Sequence, residues 1–368
     1  MINTKNKIAI LGPVGISIPP KKQGGIEWMV YYLTEELVKR GYPVLLFAPQ
    51  NTKTSAELVP VCPRPISEYK IPMESEISRE LRIELSFLGN LMDEVLKRRN
   101  EIGLVFNHTV SGGIFAILEK LLKVPVFHVL HLPLYKELAD IFRKYNSRLI
   151  SISGSQRKSF PKLNYAVTIY NGINVKKFPF CQKPKDYFIF AGKIRPSKNP
   201  IVAIKAAKLT QKKLILVGKM SNPEYFNSKI KASLTKDIIY LGEVNFSKAI
   251  ELYKNAKALL FPIKWQEPFG LVMIEAMACG TPVITFNRGS APEVIKDGET
   301  GFIVAPFNKK GKPNIGGFVK AIKKIYQMPE TEYKKMRYNC RKHVEKNFTV
   351  ERMVDEYEKV YYKILNKK

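Results

Sequence analysis

The feature that most constrains the fold is an alternation of short apolar runs with helical patterns, which occurs in each half of the chain. In the first half, residues 8–11 and 44–48 have the pattern of buried strands on either side of an amphipathic helix. Such strands pair in parallel through a right-handed crossover. Because the alternation restarts at residues 187–191, we predict an α/β protein with two doubly wound halves.

The remaining pattern divides the chain into domains. A turn-rich stretch, residues 171–184, interrupts both periodicities. We therefore predict an N-terminal domain at 1–178, a C-terminal domain at 179–348 and an amphipathic helix at 349–368, whose packing onto the first or the second domain the periodicity leaves open. Further strands are predicted at 103–107, 124–130, 149–153, 213–217, 258–262 and 282–286, with a helix at 200–208.

Charge and cysteine content limit the function classes. The chain of 368 residues carries 61 Lys and Arg against 32 Asp and Glu, a formal charge of +29 that favours an anionic partner such as a nucleotide phosphate or an acidic lipid surface. No nucleic-acid reading module is recognisable, so we expect no nucleic-acid partner. The four cysteines and four histidines show no metal-binding or disulfide spacing. We expect a cytoplasmic protein without a membrane span, with peripheral binding at the inner face of the membrane left open.

The segment KWQEPFGLVMIEAMACGTPVI, residues 264–284, carries the strongest chemical signal. It predicts a helix that starts near Gly270 and is apolar on all sides except at Glu275. Burying an unpaired carboxylate costs several kcal/mol, so Glu275 needs a partner. That partner is either a neighbouring Lys or Arg or the ribose of a nucleotide whose phosphate lies at the helix start.

This segment, with RGSAPEVIKDGETGFIV at residues 288–304, resembles the E-x7-E signature of the retaining nucleotide-sugar glycosyltransferases of family 4. The resemblance implies the GT-B fold, in which two Rossmann-like doubly wound domains face each other across a cleft. It also implies that Glu275 binds the ribose and that Glu267 reaches the transferred sugar. The backbone amides of Phe269, Gly270 and Leu271 would receive the diphosphate.

Two further motifs of the second half resemble the family. In AGKIRPSKNP, residues 191–200, the family places an Arg and a Lys on the diphosphate, which implies that role for Lys193 and Lys198, with Arg195 as a further donor-binding cation. Lys193 stands where Arg is usual and lacks its bidentate fork. In YLGEVNF, the backbone near Val244 lies where relatives hold the base. Without the resemblance, isolated lysines would be read as solvated surface.

In the first half, Gly24 and Gly25 resemble the family's GGxE loop over the donor, although Gly-Gly before a helix is also an ordinary turn. His131 ends a predicted strand, and the resemblance gives it contact with the donor sugar. His108 ends the preceding predicted strand and is assigned to the acceptor side of the site. A lone histidine at a strand end is as often structural.

Together these motifs predict a retaining glycosyltransferase that moves a sugar from a nucleoside diphosphate to an acceptor hydroxyl on a glycan, a lipid or a small metabolite. The resemblance implies a front-face reaction that requires no metal and no cofactor. One alternative is a nucleotide-sugar 2-epimerase with the same fold, which would convert its donor without any acceptor. Another is a basic surface-binding relative that has lost transfer.

Overall fold

The computed structural model describes residues 7–22, 24–69 and 77–365. The chain divides into two compact units, residues 1–172 with 350–368, and residues 173–349. The sequence-based boundary lay at 178/179, whereas the contacts place residues 173–178 in the second unit. There Ile173 pairs with Thr349 in an isolated β-bridge, and its backbone N–H donates to the carbonyl of Phe348 at 2.9 Å.

The first unit is built on a parallel sheet of seven strands within the described residues, in the order β3-β2-β1-β4-β5-β6-β7. Its strands are Lys7–Leu11 (β1), Val44–Pro49 (β2), Glu57–Cys62 (β3), Ile102–Asn107 (β4), Val126–Leu130 (β5), Arg148–Ser151 (β6) and Tyr165–Thr168 (β7). The α-helices that precede β7 in the chain are Gly25–Lys39 (α1), Ile77–Lys97 (α2), Leu118–Leu122 (α3), Lys136–Lys144 (α4) and Gly154–Arg157 (α5).

The second unit repeats this plan with a parallel sheet of six strands in its described residues, in the order β10-β9-β8-β11-β12-β13. Its strands are Phe188–Ala191 (β8), Leu214–Val217 (β9), Ile238–Tyr240 (β10), Ala258–Phe261 (β11), Val283–Phe286 (β12) and Gly301–Val304 (β13). Its helices are Pro200–Leu209 (α6), Pro223–Tyr225 (α7), Phe246–Asn255 (α8), Leu271–Ala278 (α9), Ala291–Val294 (α10), Ile315–Gln327 (α11) and Glu330–Asn347 (α12).

The last helix, Val350–Leu365 (α13), belongs to the first unit and packs on α1. Arg40 at the end of α1 forms ion pairs with Asp355 and Glu358, at 2.8 and 2.5 Å. The ring of Tyr357 lies edge-on to Phe106 of β4, with centroids 5.0 Å apart. Residues 366–368 of the predicted helix lie outside the described residues.

Continuous apolar composition explains why the central strands were predictable from sequence. β1, β2, β4, β5, β8, β11 and β12 are buried on both faces, as expected for a parallel sheet covered by helices. In the second unit their side chains pack with α6 and α11, for example Phe286 against Phe318 at a centroid distance of 4.7 Å. Within the described part of the chain, no helix is long and apolar enough to cross a membrane.

Candidate functional site

Each sheet reverses its strand order once, and most of the candidate residues follow the strands on either side of that point. In the second unit the reversal lies between β8 and β11. The strands are parallel, so the loops at 192–199 and 262–270 leave the sheet at the same edge. Ligands of open parallel sheets bind beyond the carboxyl ends of the strands at such a switch point.

The start of α9 is shaped to accept an anion. Its N-cap is Gly270, with φ 79° and no side-chain cap, so no side chain caps the first-turn amides. This left-handed φ suits glycine, and an added Cβ would lie 2.8 Å from Cε of Met273. Uncapped amides and the helix dipole favour a bound phosphate.

One side of α9 differs from the sequence-based expectation that the helix is buried all round. Five of its residues are buried, whereas Leu271, Val272 and Glu275 are half-buried. These three lie on one stripe because residues three and four apart share a helix face. Glu275 therefore lies on the partly open side of the helix, on the stripe that begins at its N-terminal end.

Glu275 is desolvated without a compensating charge. Burial raises the pKa of its carboxyl group to about 7, and a hydrogen bond from the Tyr253 hydroxyl on α8 offsets part of that rise. Within the described residues, no Lys or Arg forms an ion pair with Glu275. The sequence left two partners open for Glu275, a protein cation or a ribose. The cation is not found among the described residues, and Tyr253 supplies only a neutral hydrogen-bond donor.

Glu267, by contrast, is paired. It is 7% exposed, and its Oε2 accepts hydrogen bonds from Nζ of Lys198 at 2.5 Å and from Nε1 of Trp265 at 2.7 Å. Lys198 comes from the loop after β8 and Glu267 from the loop after β11, so adjacent strands bring them together. The sequence assigned both residues to the site but did not predict this ion pair or the part played by Trp265.

Other predicted residues of the second unit surround this pair or lie along the same edge. The guanidinium carbon of Arg195 lies 5.3 Å from the ring centroid of Trp265. Nε of Arg195 and Oγ of Ser197 are buried without a hydrogen-bond partner in the described structure, which leaves two polar groups available to a ligand. Lys193 is exposed on the same loop. Val244 lies in the loop after β10, two strands away from β8.

Phe269 and Leu271 flank the glycine at the start of α9. Phe269 is 2% exposed, and its carbonyl accepts a hydrogen bond from Oγ of Ser290 at 2.7 Å. The neighbouring carbonyl of Glu267 accepts the backbone N–H of Ser290 at 2.9 Å. The segment after β12 therefore holds the loop that carries the amides of Phe269, Gly270 and Leu271.

In the first unit, the predicted Gly-Gly loop leads directly into α1. Gly25 is the first residue of the helix and Gly24 its N-cap. A Cβ on Gly24 would lie 2.6 Å from Cβ of Pro20 and 2.9 Å from Oε2 of Glu27, so a larger residue would not fit without movement. The site role of these glycines remains a prediction.

The two candidate histidines of the first unit are in direct contact. Nδ1 of His108 and Nε2 of His131 share a hydrogen bond of 2.9 Å at the ends of β4 and β5. Burial lowers the pKa of His131 to about 4 and that of His108 well below its usual value, so both rings are neutral near pH 7. Nε2 of His108 is buried and has no partner among the described residues.

Family models match both halves of the chain. Residues 23–177 match the model described as Glycosyltransferase Family 4, and residues 174–343 match Glycosyl transferases group 1. The two matches together span residues 23–343.

Individual proteins are similar over different lengths. The putative glycosyltransferase YtcC of Bacillus subtilis is 28% identical over 54% of this chain and 55% of its own length. D-inositol 3-phosphate glycosyltransferase of Corynebacterium efficiens is 23% identical over 76% of this chain and 78% of its own. The crystal structure of Anabaena HepE in complex with UDP-glucose has a TM-score of 0.72 at 18% identity, covering 97% of this chain and 100% of that one. The matched region thus spans about half the length of YtcC.

Proposed function

Since the chain belongs to the group 1 and family 4 glycosyltransferases, we propose that it transfers a sugar from a nucleoside diphosphate to an acceptor hydroxyl. The family prediction and the prediction of two Rossmann-like domains of the GT-B fold are confirmed. One observation carries the proposal for this chain: the desolvated carboxyl group of Glu275 lacks a described cationic partner and lies on the half-open side of a helix whose start is uncapped.

The proposed donor fits the chemistry of the second unit group by group. The amides at Phe269, Gly270 and Leu271 would receive the diphosphate, and Arg195, whose Nε has no partner among the described residues, would supply a cationic donor to it. The carboxylate of Glu275 would accept hydrogen bonds from the ribose hydroxyls. These bonds would replace part of the hydration that the carboxylate lost on folding. The UDP-glucose named in the HepE structure supports this class of donor.

Catalysis would depend on cations that stabilise the departing diphosphate. We propose this role for Lys198, which forms an ion pair with Glu267, so that on donor binding its ammonium group would be shared between the carboxylate and the phosphate. Lys193, exposed on the same loop, adds positive charge. We propose a retaining, front-face reaction without a metal, in which Glu267 contacts the transferred sugar and electrostatic stabilisation is the main catalytic contribution. Undiminished turnover after EDTA treatment is the expected result.

The acceptor is proposed only as a hydroxyl compound: a glycan, a lipid or a small metabolite. His131 would contact the donor sugar, and His108 would lie on the acceptor side. Because both rings are neutral and share one hydrogen bond, one ring keeps a free donor nitrogen and the other a free acceptor nitrogen, which suits the recognition of a hydroxyl group. The relative named for D-inositol 3-phosphate makes phosphorylated cyclitols a reasonable part of an acceptor screen.

The experiment that tests this proposal is a thermal-shift screen with UDP, GDP, ADP and dTDP, followed by the corresponding nucleotide sugars. A ligand at 100 times its Kd stabilises the folded state by about 2.7 kcal/mol, which is readily detected. We expect the nucleoside diphosphate with one of these bases to raise the melting temperature of the protein clearly. No shift with any diphosphate would contradict nucleotide-sugar transfer and favour the basic surface-binding alternative. If the donor alone isomerises, the activity is that of a 2-epimerase.

A further inference from the structure

Trp265 contacts three of the groups assigned to the donor site, and neither motif reasoning nor the family resemblance gave it a role. Its indole N–H donates to Glu267, and its ring lies against both Lys198 and Arg195. We propose that Trp265 is a positioning residue that orients Glu267 and gathers the two cations for the transfer reaction. This inference rests on the proposed function and names a further residue of the same site.

The indole N–H of Trp265 gives Glu267 a hydrogen bond that remains when the nucleotide sugar binds. Oε2 of Glu267 accepts two hydrogen bonds, one from Lys198 at 2.5 Å and one from Trp265 at 2.7 Å. When a diphosphate competes for the ammonium group, the bond from Lys198 weakens. A carboxylate that is 7% exposed cannot replace that donor with bulk water. The bond from Trp265 then keeps the carboxylate oriented toward the sugar.

The indole ring provides a surface for positive charge. Nζ of Lys198 lies 4.9 Å and the guanidinium carbon of Arg195 5.3 Å from its centroid. Cations within about 6 Å of an aromatic face are attracted by its quadrupole, which lowers the cost of holding two like charges in one loop. Both cations are thereby held on one ring, and Nε of Arg195, which has no partner among the described residues, leaves a donor for an anion.

The backbone around Trp265 is fixed on both sides, as positioning requires. The N–H of the preceding residue, Lys264, donates to the carbonyl of Ser197 at 2.9 Å, which ties the two loops together. The next side chain, Gln266, accepts the backbone N–H of Gly289 at 2.7 Å. A Cβ on Gly289, whose φ is +56°, would lie 2.2 Å from the carbonyl oxygen of Glu267, so only glycine permits this approach.

Two substitutions separate the N–H from the ring. Trp265→Phe keeps an aromatic face but removes the donor, and Trp265→Leu removes both. With the donor and acceptor found by screening, we expect Trp265→Phe to lower kcat about tenfold or more, because a hydrogen bond to a charged group is lost. Its Kd for the nucleoside diphosphate should change less than about threefold, whereas Trp265→Leu should also weaken that Kd by about tenfold. A wild-type kcat in Trp265→Phe, or equal losses of diphosphate binding in both variants, would overturn the proposal.

A spectroscopic measurement tests the same contact without any turnover. The chain has two tryptophans, so a ¹⁵N-labelled sample gives two indole signals, and Trp265→Phe assigns them. We expect the Trp265 indole proton to be protected from exchange, to stay protected with saturating UDP, GDP, ADP or dTDP, and to shift upfield in Glu267→Gln, where the acceptor is neutral. A rapidly exchanging proton, or a signal unaffected by Glu267→Gln, would overturn the positioning role. If no diphosphate binds the wild type, the proposed function fails, while the Glu267→Gln shift still decides this inference.

Discussion

The desolvated carboxyl group of Glu275 should make the protein less stable as pH rises. Its folded-state pKa is about 7 against an ordinary value of 4.5, mainly because burial disfavours the charged form. Between those values the folded state keeps a proton that the unfolded state has released. The free energy of unfolding therefore falls as pH rises from about 4.5 to 7 and is level above that range.

The size of this effect follows from the pKa difference. Each pKa unit corresponds to about 1.4 kcal/mol, so the full shift is worth about 3 kcal/mol, and partial access of solvent to Glu275 reduces it to about 2 to 3 kcal/mol. Glu275→Gln cannot ionise. The variant should be more stable than the wild type by about that amount at pH 8, and the difference should vanish near pH 4.5.

Urea unfolding at several pH values measures this difference. In a Trp28→Phe background the single remaining tryptophan is Trp265, so its fluorescence reports unfolding of the second unit alone. Urea is preferred because it adds no ionic screening. Subtracting the variant from the wild type cancels the contribution of all other titrating groups. A difference that is independent of pH, or that favours the wild type more as pH rises, would refute the reasoning.

Two further substitutions test the site and its support. Lys198→Ala should lower kcat/KM by an amount that corresponds to about 2 to 4 kcal/mol of lost transition-state stabilisation. Lys193→Ala, which alters an exposed side chain, should lower kcat/KM less. Initial rates at limiting donor compare the two variants, and equal effects would contradict the central role of Lys198. Arg337 is fully buried and donates to the carbonyls of Cys181, Lys254, Ala256 and Cys279. Arg337→Met should lower the free energy of unfolding of the second unit, measured in urea, by about 3 kcal/mol or more. Lys335→Met changes an exposed residue of the same helix and should leave that free energy nearly unchanged. Similar free energies of unfolding for the two variants would show that the hydrogen bonds of Arg337 contribute little.

Sequence patterns predicted the parts of the fold that are apolar and continuous. The centres of β8, β11 and β12 were found because strands buried on both faces need uninterrupted hydrophobic residues. The strands β3, β7, β10 and β13 were not predicted as strands. All four are edge strands of their sheets, and β10 has only three residues, so their hydrophobic patterns are weak. Their pairing is set by the neighbouring strand.

The candidate site shows the same limit. Gly270 and Glu275 are close in sequence, and a local pattern placed both correctly on one helix start. The contacts of Glu267 with Lys198 and of Glu275 with Tyr253 join separate elements, and periodicity carries no information about them. Trp265 was visible in the sequence, but an aromatic residue beside a motif is usually a core residue. Its orientation toward a carboxylate required the tertiary structure.

The central claim is that Glu275 and the start of α9 hold a nucleoside diphosphate. Calorimetric titration of UDP, GDP, ADP and dTDP into the wild type, Glu275→Ala and the exposed control Glu299→Ala tests it most directly. We expect at least one diphosphate to bind the wild type and Glu299→Ala alike, and to bind Glu275→Ala about tenfold or more weakly, since the hydrogen bonds to a charged acceptor are lost. Equal affinity for all three proteins would contradict the claim.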